Sequence, residues 1–221
     1  MDVIQLIIQY QRAFIDGLRV TFELCGITWA VGICLGAALG TAAHRWRWVV
    51  GTPLRALAFL LAGIPFLVLL YWAHYPLQVS FEVIVDPFYS AVSVLSLLNV
   101  VAVAEICRVA LDDFPTEYVL AAKVCGLTRA ETFARIQFPL ILRQILPSLL
   151  TLQVTMLQMT LFASLISVEE IFRVAQRINS VLFRPVEIYT ALAVFFLLIC
   201  LPLNGAALYL RHRFTRNVSE R

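Results

Sequence analysis

The chain has 221 residues, of which 61% are hydrophobic and 14% charged, and it carries a net charge of +3. Soluble domains carry about 25% charged residues, so a water-soluble fold of this length is excluded by the apolar surface it would have to hide. A bilayer core about 30 Å thick takes about 20 apolar residues per helical span, and five uncharged stretches meet or approach that length: residues 24–43, 56–73, 87–104, 144–168 and 188–210. In hydrocarbon the backbone must satisfy its own hydrogen bonds, so these read as helices. The alternating ten-residue strands of a membrane barrel are absent from the sequence.

In chain order, residues 1–16 come first. Asp2 stands where a cleaved leader is basic, and Asp16 and Arg19 interrupt the apolar run. This start is expected to be an external segment, a short amphipathic helix at the membrane surface. The first span carries Gly32, Gly36 and Gly40 on one face. Small residues at that spacing let helix backbones approach closely, either inside the chain or across a subunit interface. The second span holds Gly63-Ile64-Pro65 near its middle. Proline removes a donor and strains the preceding turn. Broken membrane helices line a solute path in many transporters; a packing kink is the other reading.

A short loop with Glu82 and Asp86 leads to the third span, which contains Asn99 and ends near Glu105 and Arg108. These last two lie three apart and can pair on a helix. They anchor the helix at the interface or mark a solute path. The fourth span carries the polar residues Gln158, Thr160 and Ser164. Gly63, Pro65, Asn99, Glu105, Gln158, Thr160 and Ser164 are therefore the candidates for the solute path.

Five spans put the termini on opposite sides. Twelve of the seventeen Lys and Arg residues fall on the side of the C-terminus and five on the other. The excess places the C-terminus in the cytoplasm and the N-terminus outside. The positive charge is thus a topology signal, and no nucleic-acid partner is expected. The five cysteines form no CxxC pair and read as small apolar residues. His44, His74 and His212 are far apart at span ends, so no metal site is expected. Phosphate-loop, HExxH and GxSxG motifs are missing, and no nucleophile–base pair suggests an enzyme.

The polar stretch from Glu105 to Arg143 carries the most information. Pro115 can open a helix, and Tyr118, Ala121, Ala122 and Cys125 continue it. Gly126 then stops it, as glycine does at a helix C-terminus. Thr128 and Glu131 have capping-box spacing, so a second short helix should begin there. Pro139 and Pro147 are expected to interrupt the re-entry into the bilayer. Two short helices with a fixed bend form a rigid elbow suited to passing force to a soluble partner.

The run Ala121-Ala122-Lys123-Val124-Cys125-Gly126-Leu127-Thr128, followed by Phe133, Ile136, Pro139, Ile145, Leu146 and Pro147, resembles the EAA loop. That loop marks permease subunits of binding-protein-dependent ABC importers. Asn99, Ala104-Glu105-Ile106 with Arg108, Thr160, Ala163-Ser164, Glu170, Ala175-Gln176-Arg177-Ile178, Phe183-Arg184-Pro185 and Leu201-Pro202-Leu203 extend the resemblance to the polar amino-acid (histidine, glutamine, arginine) group, over residues 14–212. Leu120 stands where the family has glutamate, with Glu117 nearby. Ala62 and Ile64 replace an arginine and a threonine beside the second-span turn, and Gln158-Met159 replace a Lys-Asp pair. These neutral replacements imply a solute less polar than the usual amino acids, or a passive half paired with a solute-binding subunit.

The resemblance implies an all-α integral membrane protein of about five transmembrane helices with an EAA-type coupling loop at about residues 112–143. The permease domain would run over residues 17–212, with a cytoplasmic tail at 213–221. Glu117, Ala121, Ala122, Gly126, Thr128 and Glu131 would couple to the ATPase. The implied partners are a second permease subunit, the same or paralogous, two cytoplasmic ATPase subunits, an extracytoplasmic solute-binding protein and a small-molecule solute. ATP and Mg would be used by the ATPase subunits, with no cofactor bound by this chain. The expected location is the bacterial inner membrane. A secondary transporter or channel is the rival reading, but its inverted repeats are not visible. A membrane scaffold is another, and it leaves the polar residues in the spans unexplained.

Overall fold

The computed structural model describes residues 8–215, and all its regular elements are helical. In chain order they are α1 (Gln11–Arg45), a wide turn (Arg47–Gly51), α2 (Thr52–Ala62), α3 (Phe66–His74), α4 (Pro76–Ser80) and α5 (Pro87–Asp112). Then follow α6 (Thr116–Val124), α7 (Arg129–Thr132), a second wide turn (Phe133–Gln137), α8 (Phe138–Met159), a tight turn (Thr160–Ile166), α9 (Ile171–Leu182) and α10 (Pro185–Thr215). Among the described residues, four helical stretches are long and apolar enough to cross a membrane: Gln11–Arg45, Pro87–Asp112, Arg129–Ile166 and Pro185–Phe214. The fifth apolar stretch is two pieces, Arg47–Ala62 and Phe66–Ser80, bent by 98°.

The bend follows from Gly63-Ile64-Pro65. Gly63 closes α2, its N–H bonding back to Phe59 and Leu60. Pro65 has no N–H to continue that ladder, and it turns to φ −55°, ψ 134°, which points α3 in a new direction. Elsewhere the expectations needed adjustment. Residues 11–16 are the first turns of α1 rather than part of a separate surface segment; residues 1–7 and 216–221 lie outside the described residues. The second short helix after the elbow does not stand apart. α7 runs through the wide turn Phe133–Gln137 into α8, and Pro139 and Pro147 are absorbed without a break. A wide turn relieves the clash between a proline ring and the preceding carbonyls.

The core is assembled around α1 and α5. A Cβ placed on Gly32 would lie 2.1 Å from Asn99 Nδ2, one on Gly36 2.6 Å from Val103 Cβ, and one on Gly40 2.5 Å from the Ala104 carbonyl oxygen. The glycine stripe therefore packs inside the chain, and the α1–α5 seam requires the absence of side chains there. Asn99, fully buried, donates to the Thr28 carbonyl at 2.9 Å and to Gln153 Oε1 at 3.0 Å, while Gln153 Nε2 donates to Asn99 Oδ1 at 3.1 Å. This amide clasp ties α1, α5 and α8 together. Toward the end nearest α9, the seam continues through Gly17 and Thr21, whose hydroxyl accepts from the Ile171 N–H at 3.1 Å. The amphipathic α9 buries Ile171, Val174, Ala175 and Ile178 against α1 and α10.

Candidate functional site

Opposite the glycine seam, α5 turns its other face to a cavity of about 770 Å³, open along one side and walled by α2, the start of α3, α5 and α8. Its lining is apolar from Ala58, Leu61, Ala62, Ile64 and Phe66 across to Leu98, Val101, Ala102, Ile106, Val109, Met156 and Met159. Ala62, Ile64 and Phe66 flank the broken turn, so the bend shapes one wall. Four polar side chains line it: Glu105 on α5 and Gln144, Ser148 and Thr155 on α8. The volume falls within the range of about 300–1,000 Å³ typical of small-molecule sites.

Glu105 is the only charged group in this lining. Arg108, one turn along α5, reaches back to it with Nε on Oε2 at 2.9 Å and with Nη2 on Oε1. Arg108 also holds Asp112 at 2.5 Å, and Asp112 meets His44 Nδ1 of α1 at 2.6 Å. The result is a four-member hydrogen-bonded ladder from the cavity wall to the end of α5. Arg108 itself does not line the cavity.

Of the residues expected along a solute path, Glu105 lines this cavity. Gly63 and Pro65 make the bend whose neighbours line it. Asn99 is taken up by the amide clasp. Thr160 and Ser164 are buried and turn back onto their own helix, donating to the Leu157 and Leu161 carbonyls at 2.7 Å each. Gln158 is exposed on another face of α8. Sequence reasoning missed Gln144, Ser148 and Thr155. Their signal was present: residues 144, 148, 155 and 159 fall on one face of an otherwise apolar helix, at spacings of four, seven and four.

The expected elbow lies between α5 and α8. Gly126 ends α6 with φ +79°, a left-handed conformation that side chains resist. Thr128 caps α7: its hydroxyl accepts from the Glu131 N–H at 3.3 Å, and the Glu131 carboxylate accepts from the Thr128 N–H at 3.0 Å. Ala122 is buried under the elbow, while Glu117, Leu120, Ala121 and Val124 form one exposed face of α6. Beyond the other end of α8, Glu170 is buried at the start of α9 and accepts from the Phe172 and Arg173 N–H groups at 2.9 and 2.8 Å. Burial pushes its carboxyl up to about 7, against the pull of those two donors.

A bundle of membrane helices with a cavity on one side and a rigid polar hairpin at one end defines a membrane transport component. Residues 32–216 match the family model described as the binding-protein-dependent transport system inner membrane component. The octopine transport system permease protein of Rhizobium meliloti is 30% identical over 193 residues, 84% of this chain and 79% of that protein. The glutamine transport system permease protein of Escherichia coli K12 is 29% identical over 86% of this chain and 87% of its own length. A solved amino acid ABC transporter structure covers 96% of this chain and 99% of its own, with a TM-score of 0.79 and 24% identity, which establishes the shared fold. The chain belongs to this family of membrane components, the permease subunits of ATP-driven importers.

Proposed function

We propose that this permease imports an amino acid or a related small polar solute through the cavity beside α5, and that the elbow converts closure of the partner ATPases into movement of the cavity walls. The observation that carries the proposal is connectivity: the elbow joins α5 directly to α8, and these two helices supply most of the cavity lining. A displacement of the elbow is passed to both walls at once. Its central bend is stiff, fixed on one side by the Gly126 turn and on the other by the Thr128–Glu131 capping box.

In this reading α6 docks on a cytoplasmic ATPase through Glu117, Ala121 and the exposed side chains of Leu120 and Val124, spaced as one helix face entering a groove. The Lys and Arg excess supports an elbow and C-terminus in the cytoplasm and an N-terminus outside. Two ATPase subunits bind ATP and Mg; a second permease subunit closes the open side of the cavity; an extracytoplasmic binding protein delivers the solute. ATP-driven closure and reset then alternate the access of the cavity between the two sides. Relatives named for octopine and glutamine support an amino acid or amino-acid derivative as solute.

Gly126→Val tests the coupling step. A Cβ at Gly126 meets nothing within 4 Å, so the substitution acts through the backbone alone. Holding a side chain in the left-handed region costs about 1–2 kcal/mol, more for a β-branched residue, so the elbow should relax to another bend. In proteoliposomes containing the permease, its ATPase subunits and the binding protein, ATP-driven amino acid uptake should be lost while the chain remains inserted. Unchanged uptake would remove the elbow from the mechanism.

A further inference from the structure

We propose that the cavity is a site for an amino acid with an apolar side chain, and that Arg108 sets this preference from behind the wall. The inference rests on the reading that this cavity is the solute path. Three kinds of chemistry meet in the lining. Glu105 supplies carboxylate oxygens. Gln144 and Ser148, one turn apart on α8, have exposed side chains with no hydrogen-bond partner among the described residues. The remaining wall, including Leu61, Ile64, Leu98, Met156 and Met159, is apolar.

This arrangement complements a zwitterion with a hydrocarbon body. An ammonium group needs acceptors, which Glu105 provides. A carboxylate needs donors, which the Gln144 amide and the Ser148 hydroxyl provide. A side chain carrying its own charge would have no partner on the rest of the wall, and an unpaired charge in such surroundings costs several kcal/mol. Were the groove only a surface for lipid, Gln144 and Ser148 would stand as uncompensated polar groups on a membrane helix.

Arg108 makes the charge balance. It bonds to both oxygens of Glu105, and Asp112 holds it on the far side, in turn contacted by His44. Each carboxylate oxygen keeps a further lone pair for the solute. The Glu105–Arg108 pair therefore accepts an ammonium by hydrogen bonding while carrying no net charge of its own that would favour a second cation. Arg108 is a positioning residue: it acts on the solute through Glu105.

The test measures binding to the permease–ATPase complex in nanodiscs, by calorimetry and thermal midpoint, with leucine, methionine, phenylalanine, arginine, lysine and glutamate. The first three should bind about tenfold or more tighter than the charged three. Arg108→Gln unmasks Glu105 and should move arginine and lysine up relative to leucine by about tenfold. Met159→Glu adds a carboxylate to the lining with the ladder intact and should move the ranking the same way, so it carries the test if Arg108→Gln fails to assemble. Equal or tighter binding of charged amino acids by the wild type, no binding of any of the six, or an unchanged ranking in the assembled variants overturns the proposal. Uptake is measured in parallel. ATP-driven uptake of charged amino acids alone sinks the selectivity and leaves the importer standing; absence of ATP-driven uptake sinks the importer itself.

Discussion

The two faces of α5 are built on opposite principles. Toward α1 it meets a stripe of glycines at distances that leave no room for a methyl group, and Asn99 locks the contact to α8. Toward α2 and α8 it faces an unfilled cleft walled partly by a broken helix. A close-packed seam with its buried amides paired transmits a displacement without changing shape. A cleft beside a broken helix is where shape changes at low cost, because few packed contacts must be undone. One helix thus serves as a rigid strut on one side and a moving wall on the other. Measurements can break or sharpen that division.

The largest effect is expected at the seam. Gly32→Leu would drive a side chain into Asn99 and through it break the bonds to Thr28 and Gln153. The expected cost is about 4 kcal/mol or more, in the range reserved for overpacking combined with a broken polar network. Size-exclusion chromatography of detergent extracts should show loss of the monodisperse protein. Gly26→Leu is the control, because a Cβ there meets nothing within 4 Å. If the two variants behave alike, the seam is not close-packed.

The second effect concerns the far end of the same seam, where Thr21 of α1 meets the start of α9. Glu170 is fully buried there, with its carboxyl raised to about 7 chiefly by that burial. The folded value lies above the ordinary 4.5, so the native state favours the protonated form. Below about pH 4.5 both folded and unfolded states hold the proton and there is no penalty. Between about 4.5 and 7 the unfolded state alone loses it and the penalty grows, reaching its full size above 7. Stability should therefore fall by on the order of 2 kcal/mol as pH rises from about 5 to 8. Thermal midpoints across that window should decline for the wild type and flatten for Glu170→Gln. A flat wild-type profile would show that the two N–H donors offset the burial.

The contrast between the faces was half legible in the sequence. Small residues every fourth position announced the seam, because spacing and size are properties of the chain itself. The same holds for the elbow: Gly126, Thr128 and Glu131 act on their own neighbours, and they sit as their types require. The cleft was less visible because it depends on which helix faces which. Asn99 looked like a path residue, since an amide in an apolar span is costly until a partner is found; the partners, Thr28 and Gln153, lie 71 and 54 positions away. Thr160 and Ser164 satisfied themselves locally by tightening the helix end. Gln144 and Ser148 sat in the first turns of the span expected at residues 144–168 and were not singled out, because nothing in the sequence says which face of that helix meets α5. Pro139 promised a break that the wide turn before it made unnecessary.

The smallest expected effect is the most informative about the strut. Asn99 and Gln153 exchange two hydrogen bonds, Asn99 also reaches Thr28, and the Trp29 indole donates to the Gln153 carbonyl at 3.1 Å. Removing either amide alone leaves the other with unmet groups in a dry setting, whereas removing both leaves none, so the single losses should not add. A double-mutant cycle of Asn99→Ala and Gln153→Ala, followed by denaturation in mixed micelles, should give a coupling of about 1 kcal/mol. The value is modest because an amide in an unfolded membrane chain also finds partners. Coupling near zero would mean that the glycine stripe alone holds α1 to α5, leaving α8 free to move separately. The elbow would then be pulling on two independent walls rather than on one body.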